Sequence, residues 1–275
     1  MKKSILTLCM FTASSVSYAG FNPIDDGELG AITGQSGISI ESELYATIGS
    51  LEYIDEGSLS INDIVIGGAN KATYFGRSMG LGSRSGNKLD GSLLKIDVRS
   101  DGDLVLNGTL NDKFGGGIVD FGISTGSIKL HSEDGLTSAT LIDSVNITGL
   151  LTGFRASIDS ATLHTKIDVT VAIDDLDIDM SGLGIKIENA FIVDTTYFEK
   201  LNDFGGVVSD VPVEDLTANF IVDVYANDEG LHVDAVKVEF DMGIGSVSIG
   251  NSSIGSFALN NVNLSQSSAV ISGHP

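Results

Sequence analysis

The chain has a single cysteine, no tryptophan and only 3 prolines among 275 residues. The cysteine, Cys9, falls in a stretch that reads as a secretion signal. Lys2 and Lys3 form its basic start and Ile5 to Ala13 its apolar run. Ser17-Tyr18-Ala19 offers small residues at the two positions a signal peptidase reads. The run is too short to cross a bilayer as a helix. Leu8 stands before Cys9 where a lipoprotein needs a small residue, which removes a lipidation reading. We therefore expect a signal peptide over 1–19 and a mature chain without a thiol. Such a chain has no disulfide and no cysteine nucleophile. Basic residues are scarce as well: 15 Lys and Arg stand against 37 Asp and Glu, a formal charge of −22. Loss of Lys2 and Lys3 leaves 13 against 37, or −24. A surface of that sign excludes nucleic acid and anionic lipid as partners. The mature chain also lacks an apolar run long enough for a transmembrane helix.

What remains is apolar, glycine-rich and alternating. Hydrophobic residues make up 42% of the chain, enough to build a core, and there are 34 glycines to turn it. From Ile38 to Ile48 the even positions are mostly apolar, while Ser39, Glu41, Glu43 and Thr47 face the other way. From Leu163 to Ile173 the odd positions are mostly apolar, against His164, Lys166, Asp168 and Thr170. The same two-residue period recurs at Leu94–Val98, Leu104–Leu110, Ile185–Val193, Ala218–Val224 and Val236–Met242. It is the pattern of strands with one buried and one wetted face. The apolar parity flips at Asn62-Asp63, Asp174-Asp175 and Asp234-Ala235, which marks bulges or bends. Helix is confined to a turn or two after Asp25 and to Tyr197–Phe204. The spacing therefore predicts an all-β fold: one β-rich domain over 20–275, a long, largely antiparallel, strongly curled sheet around one extended core. Gly-Ser strand segments beginning at Gly57, Gly126 and Gly245 echo one another at irregular intervals, which fits recurrent hairpins better than a solenoid.

The sharpest motif is "DIDMSGLGIKIE", Asp177 to Glu188, which follows much of a calcium-loop spacing. Its flanks are β-branched and alternating rather than helical, so a hairpin turning at Ser181–Gly184 is the expected structure. Asp175, Asp177 and Asp179 share one strand face and form a candidate calcium row. Lys166 and Lys186 are the alternative counter-charges, and a solvated acidic face is the plainer reading. No catalytic set is visible. His131 and His164 are expected on outward faces, no nucleophile elbow or metal-binding histidine pair occurs, and "GGGIVDFG" (Gly115–Gly122) lacks the Lys-Ser/Thr of a phosphate loop. Alternating strands behind a signal also suit an outer-membrane barrel, but the aromatics are too few for two girdles.

The segment "PIDDGELGAITGQSGISIE" (Pro23–Glu41) resembles the N-terminal signature of the FilA-like proteins, a secreted Gram-negative family linked to pilus systems. The matching residues are Leu29, Thr33, Gly34, Gln35, Gly37, Ile38 and Ile40, and 20–37 is read as the signature segment. The resemblance carries no catalytic residues. A bacteriocin leader would share the "D-x-E-L-x-x-I" pattern, but Gln35 replaces its second glycine. The resemblance implies a non-enzymatic cell-envelope or surface protein, structural or accessory in a pilus or adhesion system. It would sit in the periplasm, at the outer membrane or on the cell surface. Its partners would be other envelope or pilus proteins, reached by strand addition at Ile38–Ile48. A periplasmic module for an apolar ligand such as a lipid is the alternative and the barrel a third reading. No cofactor is expected beyond the candidate calcium.

Overall fold

The computed structural model describes residues 37–78, 87–110, 117–207, 210–250 and 252–273. The signal segment, the turn after Asp25 and Leu29 to Gln35 of the signature lie outside them. The chain from Gly37 onward forms one compact unit and is all-β. Among the described residues fifteen strands join one sheet: β1 (Ile38–Leu44), β2 (Ala46–Ile54), β3 (Ser58–Gly67), β4 (Leu89–Val98), β5 (Leu104–Leu110), β6 (Val119–Thr125), β7 (Ile128–His131) and β8 (Ser138–Ile142), then β9 (Ser144–Ile158), β10 (Thr165–Met180), β11 (Ile185–Val193), β12 (Ala218–Asn227), β13 (Gly230–Ile249), β14 (Ser252–Asn263) and β15 (Ser268–Ile271).

The register shows that these fifteen strands occupy eight lanes. β1 and β2 lie end to end opposite β4 and β3, since Leu44 faces Leu89 and Ala46 faces Ile66. β5, β6 and β7 follow one another along the third lane, against β4 and β3. β8 with β9 forms the fourth and β10 the fifth. β11 with β12 forms the sixth, β13 the seventh, and β14 with β15 the eighth. Every pairing among the described residues is antiparallel and joins consecutive lanes, so the topology is a plain up-and-down meander. Among the described residues no pairing joins the first lane to the eighth.

All eight lanes are disturbed along one transverse line. The first lane breaks between Leu44 and Ala46, the second leaves the sheet between Gly67 and Leu89, the third between Leu110 and Val119, and the sixth between Val193 and Ala218. The fourth and fifth stay continuous but slip register between Thr170 and Val171 and between Ile173 and Asp175. The seventh and eighth slip between Phe240 and Met242. This crease divides the sheet into two halves that share β9, β10 and β13. It contains the parity flip expected at Asp174-Asp175. The flip at Asp234-Ala235 matches a slip between Ile221 and Val222 that leaves Val236 unmatched. At Asn62-Asp63 register is kept, and the strand turns over through a left-handed Asp63 (φ 51°) instead of a bulge.

The two faces of the sheet differ in kind. Residues directly opposite across antiparallel lanes point the same way. On β10 one face carries Ile167, Val169, Val171, Ile173, Leu176, Ile178 and Met180. It continues through their partners Phe154, Leu151, Ile147 and Val145 on β9, and Val222, Phe220, Ile192 and Ile187 in the sixth lane. These large side chains are only half-buried, and the buried positions on the same face are mostly small, such as Ala156, Ala190 and Ala218, with Val119 opposite Leu151 the larger exception. Toward the first edge the face opens further: Ile38 is 63% exposed and Ile48 42%. The expected burial of the apolar set over Ile38–Ile48 is therefore not found, because that set lies on an outer lane. Leu163 is likewise 70% exposed, in a turn before β10 begins at Thr165.

The buried core sits on the other face, at the crease. Excursions from the lanes fold back there. The sixth-lane excursion forms the short helix α1 (Tyr197–Asp203), close to the expected Tyr197–Phe204. Tyr197, Val211 and Leu216 bury Val193, with Phe75, Phe191, Phe198 and Leu201 around them. Tyr74 of the second-lane excursion covers Leu150, flanked by Ala69, Phe75 and Ile118. The single extended core anticipated from alternation is thus two compact clusters, because the excursions carry the covering side chains. Leu150 is fully enclosed, and Leu150→Ala should cost about 2–5 kcal/mol in urea unfolding. Ile38→Ala should stay within about 0.5 kcal/mol of wild type. An equal loss for both would show that the apolar face is covered.

Candidate functional site

The crease gathers carboxylates that the strand pattern places on the polar face. A chain leaving a sheet carries backbone N–H groups that need acceptors. Asp120, Asp174 and Asp241 supply them. Asp174 Oδ1 accepts the N–H of Phe75, Asp120 Oδ2 accepts that of Asn70 at 3.0 Å, and Asp241 Oδ1 accepts that of Asn261 at 2.6 Å. Asp120 is 7% exposed and Asp241 2%. Lys71 Nζ lies 2.6 Å from Asp174 Oδ2, 3.4 Å from Asp175 Oδ2 and 3.2 Å from Thr148 Oγ1. The Tyr74 hydroxyl donates to Asp120 Oδ2 at 2.7 Å. Arg77 reaches from the second-lane excursion to the carbonyl of Val211 in the sixth-lane excursion.

The electrostatics follow from this geometry. Burial works against charge at Lys71, but the bond to Asp174 and the fields of Asp174 and Asp175 outweigh it and hold its pKa above the usual lysine range. Burial raises Tyr74 far above an ordinary phenol, reinforced by its bond to Asp120. Burial also raises Asp175, with Asp177 adding repulsion that Lys71 only partly offsets. At neutral pH Lys71 stays charged and Tyr74 stays protonated, so the cluster fastens the excursion to the sheet.

The candidate calcium row is distributed among separate partners. Asp175 meets Lys71, Asp177 Oδ1 accepts the Asn189 N–H at 2.8 Å, and Asp179 accepts from Ser181 Oγ at 2.7 Å with Lys186 at 3.4 Å. Among the described residues no group of three or more His, Cys, Asp or Glu side chains is arranged to hold a metal. The loop itself is the expected hairpin: a 3-10 turn at Ser181–Leu183 ends on a left-handed Gly184. Of the signature residues, Gly37 directly precedes β1, where a Cβ would sit 1.9 Å from Asp97 Oδ1, and Ile38 and Ile40 face Ile96 and Leu94.

His131 and His164 stand on the polar face as expected, the His164 side chain 40% exposed, and both meet polar partners there. His131 Nε2 lies 3.1 Å from Ser60 Oγ, and His164 Nδ1 lies 2.8 Å from Asp223 Oδ2. His164, Tyr225 and His232 stack in sequence, with ring centroids 4.2 and 4.7 Å apart. Cross-strand register makes this ladder, since Tyr225 faces His232. The register was not readable from spacing alone.

A model described as a family of unknown function, DUF6160, matches residues 1–100, a span that ends just past β4 and so takes in the first two lanes. No curated protein and no solved structure matches the chain.

Asp174 and Asp175 should respond oppositely to substitution. Asp174→Ala orphans the Phe75 N–H and leaves Lys71 beside a raised carboxylate alone, a loss of about 1–3 kcal/mol for the N–H itself. Asp175→Asn should raise Tm at pH 7. A raised carboxylate pKa means that ionisation costs stability as pH rises through it, so this gain should vanish at pH values below the carboxylate range. Lys71 has the raised-base sign: its contribution is complete at neutral pH and is lost in alkali as pH passes its elevated pKa. Thermal melts from acid to alkali check both signs.

Proposed function

We propose that the protein is an exported, non-enzymatic component of the cell envelope that works by assembly, in a structural or accessory role of the pilus or adhesion kind. The observation that supports this reading is the eighth lane. From Met242 to Gly273 the sequence contains no Asp, Glu, Lys, Arg or Pro, in a chain of net charge −22. Natural edge strands are usually guarded by charge or proline, which prevent another strand from adding to them. Here both are missing, and β14 and β15 are exposed along almost their whole length. Bulges in β14 bend the lane, but Ser256–Asn260 and Ser268–Ile271 remain short, regular, uncharged runs. An added strand would gain backbone hydrogen bonds there, and the alternating side chains would set its register. The first lane, where strand addition was anticipated at Ile38–Ile48, carries Glu41, Glu43 and Glu52 and is the better guarded of the two.

Lysines at Ala258 and Val270, which share the polar side of the lane with Gly243 and His232, test the reading without touching the apolar face. A258K/V270K should keep the wild-type circular dichroism and melting temperature. It should migrate as a monomer on native gels of envelope extracts where wild type migrates in a larger complex. An unchanged complex would sink the assembly role.

The exposed apolar face favours a second reading, a periplasmic carrier of an apolar ligand. A sheet face of this size in contact with water is unusual for a monomer. Organic extraction of the purified chain followed by mass spectrometry should then return a bound lipid. A band that fractionates with membranes and changes mobility on heating in SDS would assign the same face to a bilayer instead.

A further inference from the structure

The polar face carries a second feature that assembly does not use. Lys95, Asn107, Arg155 and Asp168 are successive cross-strand partners in lanes two to five, so they form one transverse row on one face. With lanes about 4.8 Å apart, the backbones of Lys95 and Arg155 stand roughly 10 Å from each other. Between this row and the crease lies a concavity of about 600 Å³ that these residues line together with Thr152 and Thr170. Gly108, Gly117 and Gly153 also line it, so backbone is accessible where side chains would otherwise fill the space.

The pairing of charges in this row is incomplete. Asp168 faces Arg155 directly in register, yet its carboxylate is held by the Asn219 amide, which also bonds Thr170 Oγ1 at 3.1 Å. Among the described residues neither Arg155 nor Lys95 makes an ion pair. A chain with 37 acidic and 15 basic residues has acid to spare for its cations. Two that stay unpaired and line one concavity mark a locally positive spot on an acidic surface. Arginine presents a planar fork that fits a carboxylate or phosphate, and lysine adds a second charge from the far side. Asn107 and the two threonines add neutral polar groups suited to hydroxyls.

We propose that this concavity binds a small hydroxylated oxyanion, a sugar acid or a sugar phosphate, with Arg155 and Lys95 on the anionic group. The site lies in lanes two to five and is independent of the eighth lane, so it stands or falls apart from the assembly reading. Calorimetric titration of the full mature chain with glucuronate, glucose 6-phosphate and glucose tests it. At least one of the two acids should bind, the tighter one identifying the anionic group, and glucose should not. R155Q and K95Q should each weaken that binding about tenfold or more at unchanged melting temperature. K237Q, which removes an exposed cation outside the concavity, should bind as wild type. Binding of neither acid, equal binding of glucose, wild-type affinity in R155Q or K95Q, or a matching loss in K237Q would overturn the proposal.

Discussion

A sheet satisfies its backbone only while its strands run on, and this one is disturbed across all eight lanes at the same level. The N–H groups freed there need acceptors away from water. Asp120, Asp174 and Asp241 provide them, each on a different lane and each largely buried. Asp174 also fixes Lys71, so one carboxylate holds both ends of a five-residue turn against the fifth lane. The clusters around Leu150 and Val193 depend on that fastening, because Tyr74 and Phe75 reach them only while the turn is held.

This arrangement gives the acidic composition a structural meaning. Several aspartates in the middle of the polar face act as acceptors for irregular backbone, and Asp177 does the same for the left-handed Asn189. The polar face is thereby the covered one at its centre. The apolar face is left with half-buried large side chains, and its outer lanes are open. An uncovered apolar face beside an uncharged outer lane is a surface that solvent alone does not explain.

The period-two reading located the regular parts well. Leu104–Leu110 and Ile185–Val193 are strands to the residue, the hairpin at Ser181–Gly184 forms, and the parity flip at Asp174-Asp175 is a register slip. These features are local, so sequence spacing carries them. The lanes were not legible, because β5 and β6 are collinear only through their common partner β9, some forty residues away. Nor was the core, since Tyr74, Val211 and Leu216 belong to segments with no period. The row from Lys95 to Asp168 is likewise a product of register: its members come from four lanes, and nothing in their spacing links them.

An even number of lanes has a mechanical consequence. The first lane enters at Ile38, opposite Ile96, and the last leaves at Ile271, opposite Leu231, both in the half of the sheet away from the Ser181–Gly184 hairpin. Tension applied between Gly37 and Gly273 would therefore not shear all the ladders together. It would peel the two outer lanes inward, breaking hydrogen bonds one after another, until it met the crease. There the carboxylate ties of Asp241 in the seventh lane would be the first fixed points to resist. Such a chain yields at its margins under low force and stiffens at its middle.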